Sequence, residues 1–239
     1  MNAYRTNAAV AGVLYIVGTV AGILSLALSQ PLRDAPDPLA AAAAYANQVT
    51  AAALCVILMS LALAMVPVVL YPVLKRHSAV LALGYVVFRG ALEALTSLVM
   101  PVALLLLVAV GRAIPAGAAA SGFQASGVLL LKAADHSALA GIIFCLGALM
   151  FYTVLFRSRL VPRWISVWGL AALVPYLAAE FLAMFALVDL VSANAAFLFI
   201  PLAVQEMVLA VWLIVKGFHS RAVAAEAANT ATNELLSAA

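Results

Sequence analysis

Six long apolar runs, separated by short polar or basic stretches, fill most of the chain between residues 8 and 215. A helix needs about 20 apolar residues to cross hydrocarbon. In lipid only helices and closed barrels satisfy their own backbone hydrogen bonds. A barrel would show short strands of alternating hydrophobicity, whereas these runs are continuous and rich in Ala and Leu. Charged residues make up 9% and apolar residues 68% of the 239 positions. Soluble domains are about a quarter charged, so there is too little polar surface here to wrap a water-soluble globule. The expected fold is an all-α polytopic transmembrane helical bundle of six spans, with the lipid bilayer as its first partner.

The runs place span one over 8–28, span two over 49–74, span three over 80–110, span four over 135–156, span five over 164–188 and span six over 197–215. Residues 29–47, with Pro31, Pro36 and Pro38 as breakers, read as a loop. A Gly/Ala/Ser loop follows span three over 111–122, and 123–134 reads as a short surface helix. Span three is long enough to tilt, or to bend at Pro101. Pro67 and Pro72 are expected to bend span two. Residues 1–218 form the membrane domain, and 219–239 a polar, mobile cytoplasmic tail. Ala27-Leu28-Ser29 has the look of a leader-cleavage site, but the apolar run before it exceeds the 7–15 residues of a signal-peptide core.

Orientation follows the basic residues. Of twelve Lys and Arg, eight (Arg5, Lys75, Arg76, Arg157, Arg159, Arg163, Lys216 and Arg221) fall in the head, the two even-numbered loops and the tail. With six spans these places share one side. The positive-inside bias makes that side the cytoplasm, giving an N-in/C-in protein of the cytoplasmic (inner) membrane. Only Arg33, Arg112 and Lys132 fall opposite, and Arg89 lies within a span. Tyr71–Arg76 (YPVLKR) and Tyr152–Arg157 (YTVLFR) look alike, as a duplicated hairpin would. Aromatic and basic anchors are general at that interface, however, and the bland reading is preferred.

Several chemistries are disfavoured. Cys55 and Cys145 lie inside apolar runs and read as packing residues. No CxxC, HExxH, Walker or GxGxxG pattern is present. Three scattered histidines do not build a zinc site. No metal or other cofactor is expected, and a net charge of +3 fits basic loops better than a nucleic-acid surface. Gly18 and Gly22 form a GxxxG on span one. This permits close helix approach within the bundle or to a second copy, so a homo-oligomer stays open.

The strings LYPVLKRHSAVLALGYVVFRGALEAL (70–95), GALMFYTVLFRSRLVPRWISVWGL (147–170) and IPLAVQEMVLAVWLIVKGF (200–218), with AGVLYIVGTVAGILS (11–25), resemble a family catalogued as domain-of-unknown-function family 4386. The resemblance covers about residues 8–218. It implies a multi-spanning bacterial membrane protein with no established activity, so no catalytic residues are carried over from it.

The site argument therefore rests on the polar residues inside the spans. An ionisable group in hydrocarbon costs ~2.5–3.5 kcal/mol on insertion scales, so such groups face a bundle interior or cavity. At 1.5 Å per residue, Arg89 lies about 18 Å and Glu93 about 24 Å along span three from His77. Glu180 lies about 24 Å from Trp164, and Glu206 about 15 Å from Lys216. Four charged groups on three helices thus sit near middle depth. Arg89 and Glu93, at i and i+4, share a helix face. One cation against three carboxylates leaves a net charge too costly to persist. Either carboxyls are protonated or a cation binds. Arg89, Glu93, Glu180, Gln205 and Glu206 are accordingly the candidate ligands of a small cation, a proton or an amine. The bland alternative is that Glu206, beside Gln205, pairs with Arg89 only to hold the bundle. Asp135 and His136, at the outer end of span four, form a weaker rim candidate, since adjacent residues face different ways on a helix and Lys132 pairs naturally with them.

Three functions compete. The first is a small transporter or permeation protein, with the mid-membrane cluster as its site. The second is a non-catalytic interaction or regulatory protein, whose buried charges hold the bundle. The third, an intramembrane lipid-modifying enzyme, lacks a Ser/His, paired-Asp or His-rich constellation at membrane depth, so the balance leans against an enzyme.

Overall fold

A computed structural model of the chain describes residues 3–113, 121–135, 138–188 and 193–219. His136 and residues 220–239, and with them most of the expected tail, lie outside these. All the regular structure among the described residues is helical. Six helices are long and apolar enough to cross a membrane, so the chain is a multi-pass membrane protein by length and composition. Span one is Ala3–Arg33, span two Ala46–Leu74, span three Ala79–Ala113, span four Ala138–Ser158, span five Arg163–Met184 and span six Ala193–Val215.

The spans pack in a ring in chain order, each on its sequence neighbours, and span six closes onto span one. Gly18 and Gly22 serve this packing. A Cβ on Gly18 would meet Leu63 Cγ at 2.7 Å, and one on Gly22 would meet Met59 Sδ at 2.8 Å. The GxxxG face is therefore covered by span two of the same chain.

The stretch 29–47 is not the loop its prolines suggest. Span one continues through Pro31 to Arg33, and a further helix, Pro38–Ala44, follows. Asp37 caps it, accepting from Leu39 N at 3.0 Å and Ala40 N at 3.2 Å, with Pro38 where its missing N–H costs nothing. Leu39, Ala42, Leu104 and Leu107 join a separate apolar core at this end of the bundle. The helix expected over 123–134 is present as Ser121–Asp135.

Span three departs from a uniform α-helix twice. Val86–Leu92 is a π-helical turn, with Glu93 N bonded to Phe88 O, five residues back. The helix is interrupted again at Leu98, three residues before Pro101, whose ring clashes with the carbonyl one turn earlier. Span five stops at Met184 rather than at 188. Ala186 takes a left-handed φ of 55°, and Leu187 N returns to Leu182 O at 2.9 Å, which closes the helix end.

The ends holding most of the basic residues meet in space. Arg5 donates to the carbonyls of Leu213 (2.9 Å), Ile214 and Val215 (3.1 Å), which are orphaned acceptors at the end of span six. Arg76 lies over the Tyr4 ring at 5.4 Å. His219 N donates to Leu160 O at 2.9 Å. The head, the loop after span two, the loop after span four and the exit of span six thus form one basic end.

Candidate functional site

Span three carries the charge into the bundle. Its π turn is held between two neighbours. On one side a Cβ on Gly90 would lie 3.3 Å from Pro67 Cγ of span two. On the other, a Cβ on Gly147 of span four would lie 3.0 Å from Arg89 N. This close approach leaves Arg89 only 4% exposed. Its guanidinium pairs directly with Glu93. It also faces Glu206 of span six, Nη2 to Oε1 at 3.6 Å, and lies over the Phe144 ring of span four at 4.5 Å. One cation is therefore shared by two carboxylates and one aromatic face.

Glu180 enters from span five and is 4% exposed. Its carboxyl lies against Gly141 of span four, in the space a Cβ there would occupy. Any larger residue at 141 would evict it. Among the described residues, Glu180 Oε2 and Glu93 Oε2 are buried without a hydrogen-bond partner. Buried polar atoms in native proteins are nearly always partnered, so each such oxygen calls for an explanation.

These groups border one cavity of about 420 Å³, lined from spans two to six. Arg89, Glu93, Glu180 and Glu206 all line it, and the remaining wall is largely apolar and aromatic. Tyr176 meets Phe144 at 5.1 Å and Phe199 edge-on at 4.8 Å. The volume lies within the range of small-molecule pockets.

Toward the basic end the cavity is closed by packed side chains. The Tyr15 and Tyr85 hydroxyls are hydrogen-bonded at 3.1 Å. Tyr85 stacks on Phe151 at 4.6 Å. Tyr152 donates to Gln205 Oε1 at 2.6 Å, and Gln205 Nε2 donates to Ile165 O at 3.0 Å. Tyr15, Tyr85 and Tyr152 lie within electrostatic reach of Arg89 and Glu206. The lining residues of span three run from Arg89 to Met100, and those of span six from Glu206 back to Phe199, in both cases away from the basic end. The cavity thus occupies the part of the bundle away from the basic end.

The structure therefore brings together Arg89, Glu93, Glu180 and Glu206, as the depth argument expected, and leaves Gln205 out. Gln205 is fully buried, does not line the cavity, and spends its amide tying span six to spans four and five. Next to Glu206 in sequence, it points a different way on the helix. Asp135 ends the helix Ser121–Asp135, and His136 lies outside the described residues, so the rim pair acquires no geometry. Among the described residues no group of three or more His, Cys, Asp or Glu is placed to hold a metal ion.

Sequence reasoning missed Phe144, Tyr176, Phe199, Gly141 and Gly147, which shape the site without charge. An apolar run carries no mark of which aromatic faces inward. The two glycines on span four were the one visible signal of close approach.

The family model for Domain of unknown function (DUF4386) matches residues 10–217. No curated protein and no solved structure matches the chain.

Proposed function

Because the chain belongs to the DUF4386 family, whose description carries no activity, we propose from the site alone that it is a small transporter or permeation protein. Its cavity takes a small cation, a proton or an amine. The observation behind this reading is the cavity of about 420 Å³ bordered by three carboxylates and one arginine, with Glu93 Oε2 and Glu180 Oε2 unpartnered. Charges inside a membrane protein are costly, and they mark substrate or ion paths more often than packing. Arg89 offsets one carboxylate charge, and the other two carboxyls must either hold protons or draw in a cation. The basic end faces the cytoplasm in this reading, by the positive-inside bias, and the cavity faces the opposite side.

A second reading is favoured by one specific contact. Arg89 links Glu93 of its own span to Glu206 of span six, which is what a static brace across the ring would do. The chain would then be an interaction or regulatory protein without turnover.

Flux separates the two. Purified protein in liposomes is tested for proton movement with an interior pH dye and for uptake of methylamine, with Glu206→Gln alongside. A carrier moves at least one of these faster than empty liposomes, and Glu206→Gln abolishes it. Rates equal to empty liposomes for both would leave the brace as the account of the cluster.

A further inference from the structure

We propose that Glu180, Tyr176 and Phe199 form a subsite for an organic ammonium ion carrying an apolar or aryl body, a substrate class narrower than the cation, proton or amine of the preceding section. The inference rests on that reading of the cavity as a ligand site, though not on transport.

Geometry sets Glu180 apart from the other carboxylates. Glu93 and Glu206 both engage Arg89. Among the described residues Glu180 forms no salt bridge, and its Oε2 is buried without a hydrogen bond. It is 96% buried, and it lines the cavity. Gly141 makes the room its carboxyl occupies, since a Cβ there would collide with Glu180 Oε1. A side chain held this way, with an oxygen unanswered, is an acceptor awaiting a donor.

The walls decide which donor. A bare metal ion such as Ca²⁺ or Mg²⁺ needs six or more oxygens around it. Among the described residues the three carboxylates, from spans three, five and six, are not grouped to hold one, and Phe144, Tyr176, Phe199, Leu202, Met59 and Leu63 make up much of the remaining wall. A hydrated alkali cation would lose its water to carbon surfaces that replace none of it. An organic ammonium differs on each count. It presents few N–H donors, which the Glu180 carboxyl can accept. Its charge is attracted to aromatic faces, and Tyr176 and Phe199 stand edge to face at 4.8 Å in the same wall. Its apolar body gains from contact with the rest. Phe144 already receives the guanidinium of Arg89, so an aromatic–cation contact is present a short way along the same wall.

The test compares 1-naphthylmethylamine, cationic at pH 7, with its neutral counterpart 1-naphthalenemethanol. Both are titrated calorimetrically into the purified full chain in nanodiscs, with empty nanodiscs subtracted. The amine is expected to bind at least about tenfold more tightly than the alcohol. Glu180→Gln removes that preference, while Phe199→Leu reduces it about threefold or more without touching a charge. Sodium chloride at equal ionic strength does not compete. Equal binding of amine and alcohol to the wild type would overturn the proposal, and so would a preference that survives Glu180→Gln. Were Glu180→Gln to lose its fold, an unchanged preference in Phe199→Leu and Tyr176→Leu would overturn it instead. Amine-selective binding without liposome flux would sink transport and leave the subsite standing. Flux of methylamine or protons without naphthylmethylamine selectivity would do the reverse.

Discussion

Replacing Glu93 by Gln should destabilise the protein far more than replacing Glu180 by Gln, although both remove one carboxylate from the same cavity. Arg89 is 4% exposed and its direct ionic partner is Glu93. Glu206 stands further off at 3.6 Å, and Phe144 offers only a ring face. Breaking a buried pair by deleting one partner costs ~3–5 kcal/mol, because the survivor is stranded. Glu206 remains as partial compensation, so Glu93→Gln belongs at the low end, about 3 kcal/mol. Glu180 has no ionic partner to strand, and Gln keeps its shape against Gly141. Its loss should cost less than about 1 kcal/mol. Unfolding in detergent titrated with SDS, followed by the fluorescence of the three tryptophans, gives both numbers. Adding Arg89→Met to Glu93→Gln should show coupling of about 1–3 kcal/mol. Equal losses in the two single variants, or no coupling in the double, would refute the division of the cavity into a paired and an unpaired half.

Arg5→Ala removes the donors that satisfy the carbonyls of Leu213, Ile214 and Val215. It should cost about 1–2 kcal/mol and speed hydrogen exchange in the last turn of span six. Tyr152→Phe leaves Gln205 Oε1 without the hydroxyl that now donates to it and should cost about 1–3 kcal/mol in the same unfolding assay. Gly141→Ala places a methyl where the Glu180 carboxyl lies. The overpacking, about 1–3 kcal/mol, exceeds the helix-propensity gain of about 1 kcal/mol, so the melting temperature should fall. Reporter fusions after Asp37 and Leu187 should both read opposite to fusions after Lys75 and Arg159. Agreement between any of the first pair and the second would break the six-span order.

How far the sequence reached depended on the kind of information each feature carries. Apolar length marks a span whatever its neighbours are, so all six were legible. A charge in such a run must face inward, so Arg89, Glu93, Glu180 and Glu206 could be named and assigned similar depths. Rotation about the helix axis was less accessible. Gln205 and Glu206 are adjacent, yet one ties spans together and the other lines the cavity. The π turn over Val86–Leu92 shifts the angular phase of everything after it, and no residue type announces it. The proline-rich stretch after span one reads as loop because Pro38 at a first helical turn looks, in sequence, the same as Pro in a turn. Span five ends before its apolar run does, and the sequence hides this because Ala186, rather than a Gly, takes the left-handed φ that closes it.

A ligand must reach the proposed site from the end away from the basic residues, and thiol accessibility tests that most directly. With Cys55 and Cys145 replaced by Ala, Ser97→Cys on the cavity wall is exposed in intact cells to a membrane-impermeant methanethiosulfonate. Leu70→Cys, at a position fully buried in the packed core, serves as control. Ser97→Cys should react from outside and be protected by 1-naphthylmethylamine, while Leu70→Cys stays unmodified. A Ser97→Cys as inert as Leu70→Cys would mean a dry core, and the charges within it would be a brace and nothing more.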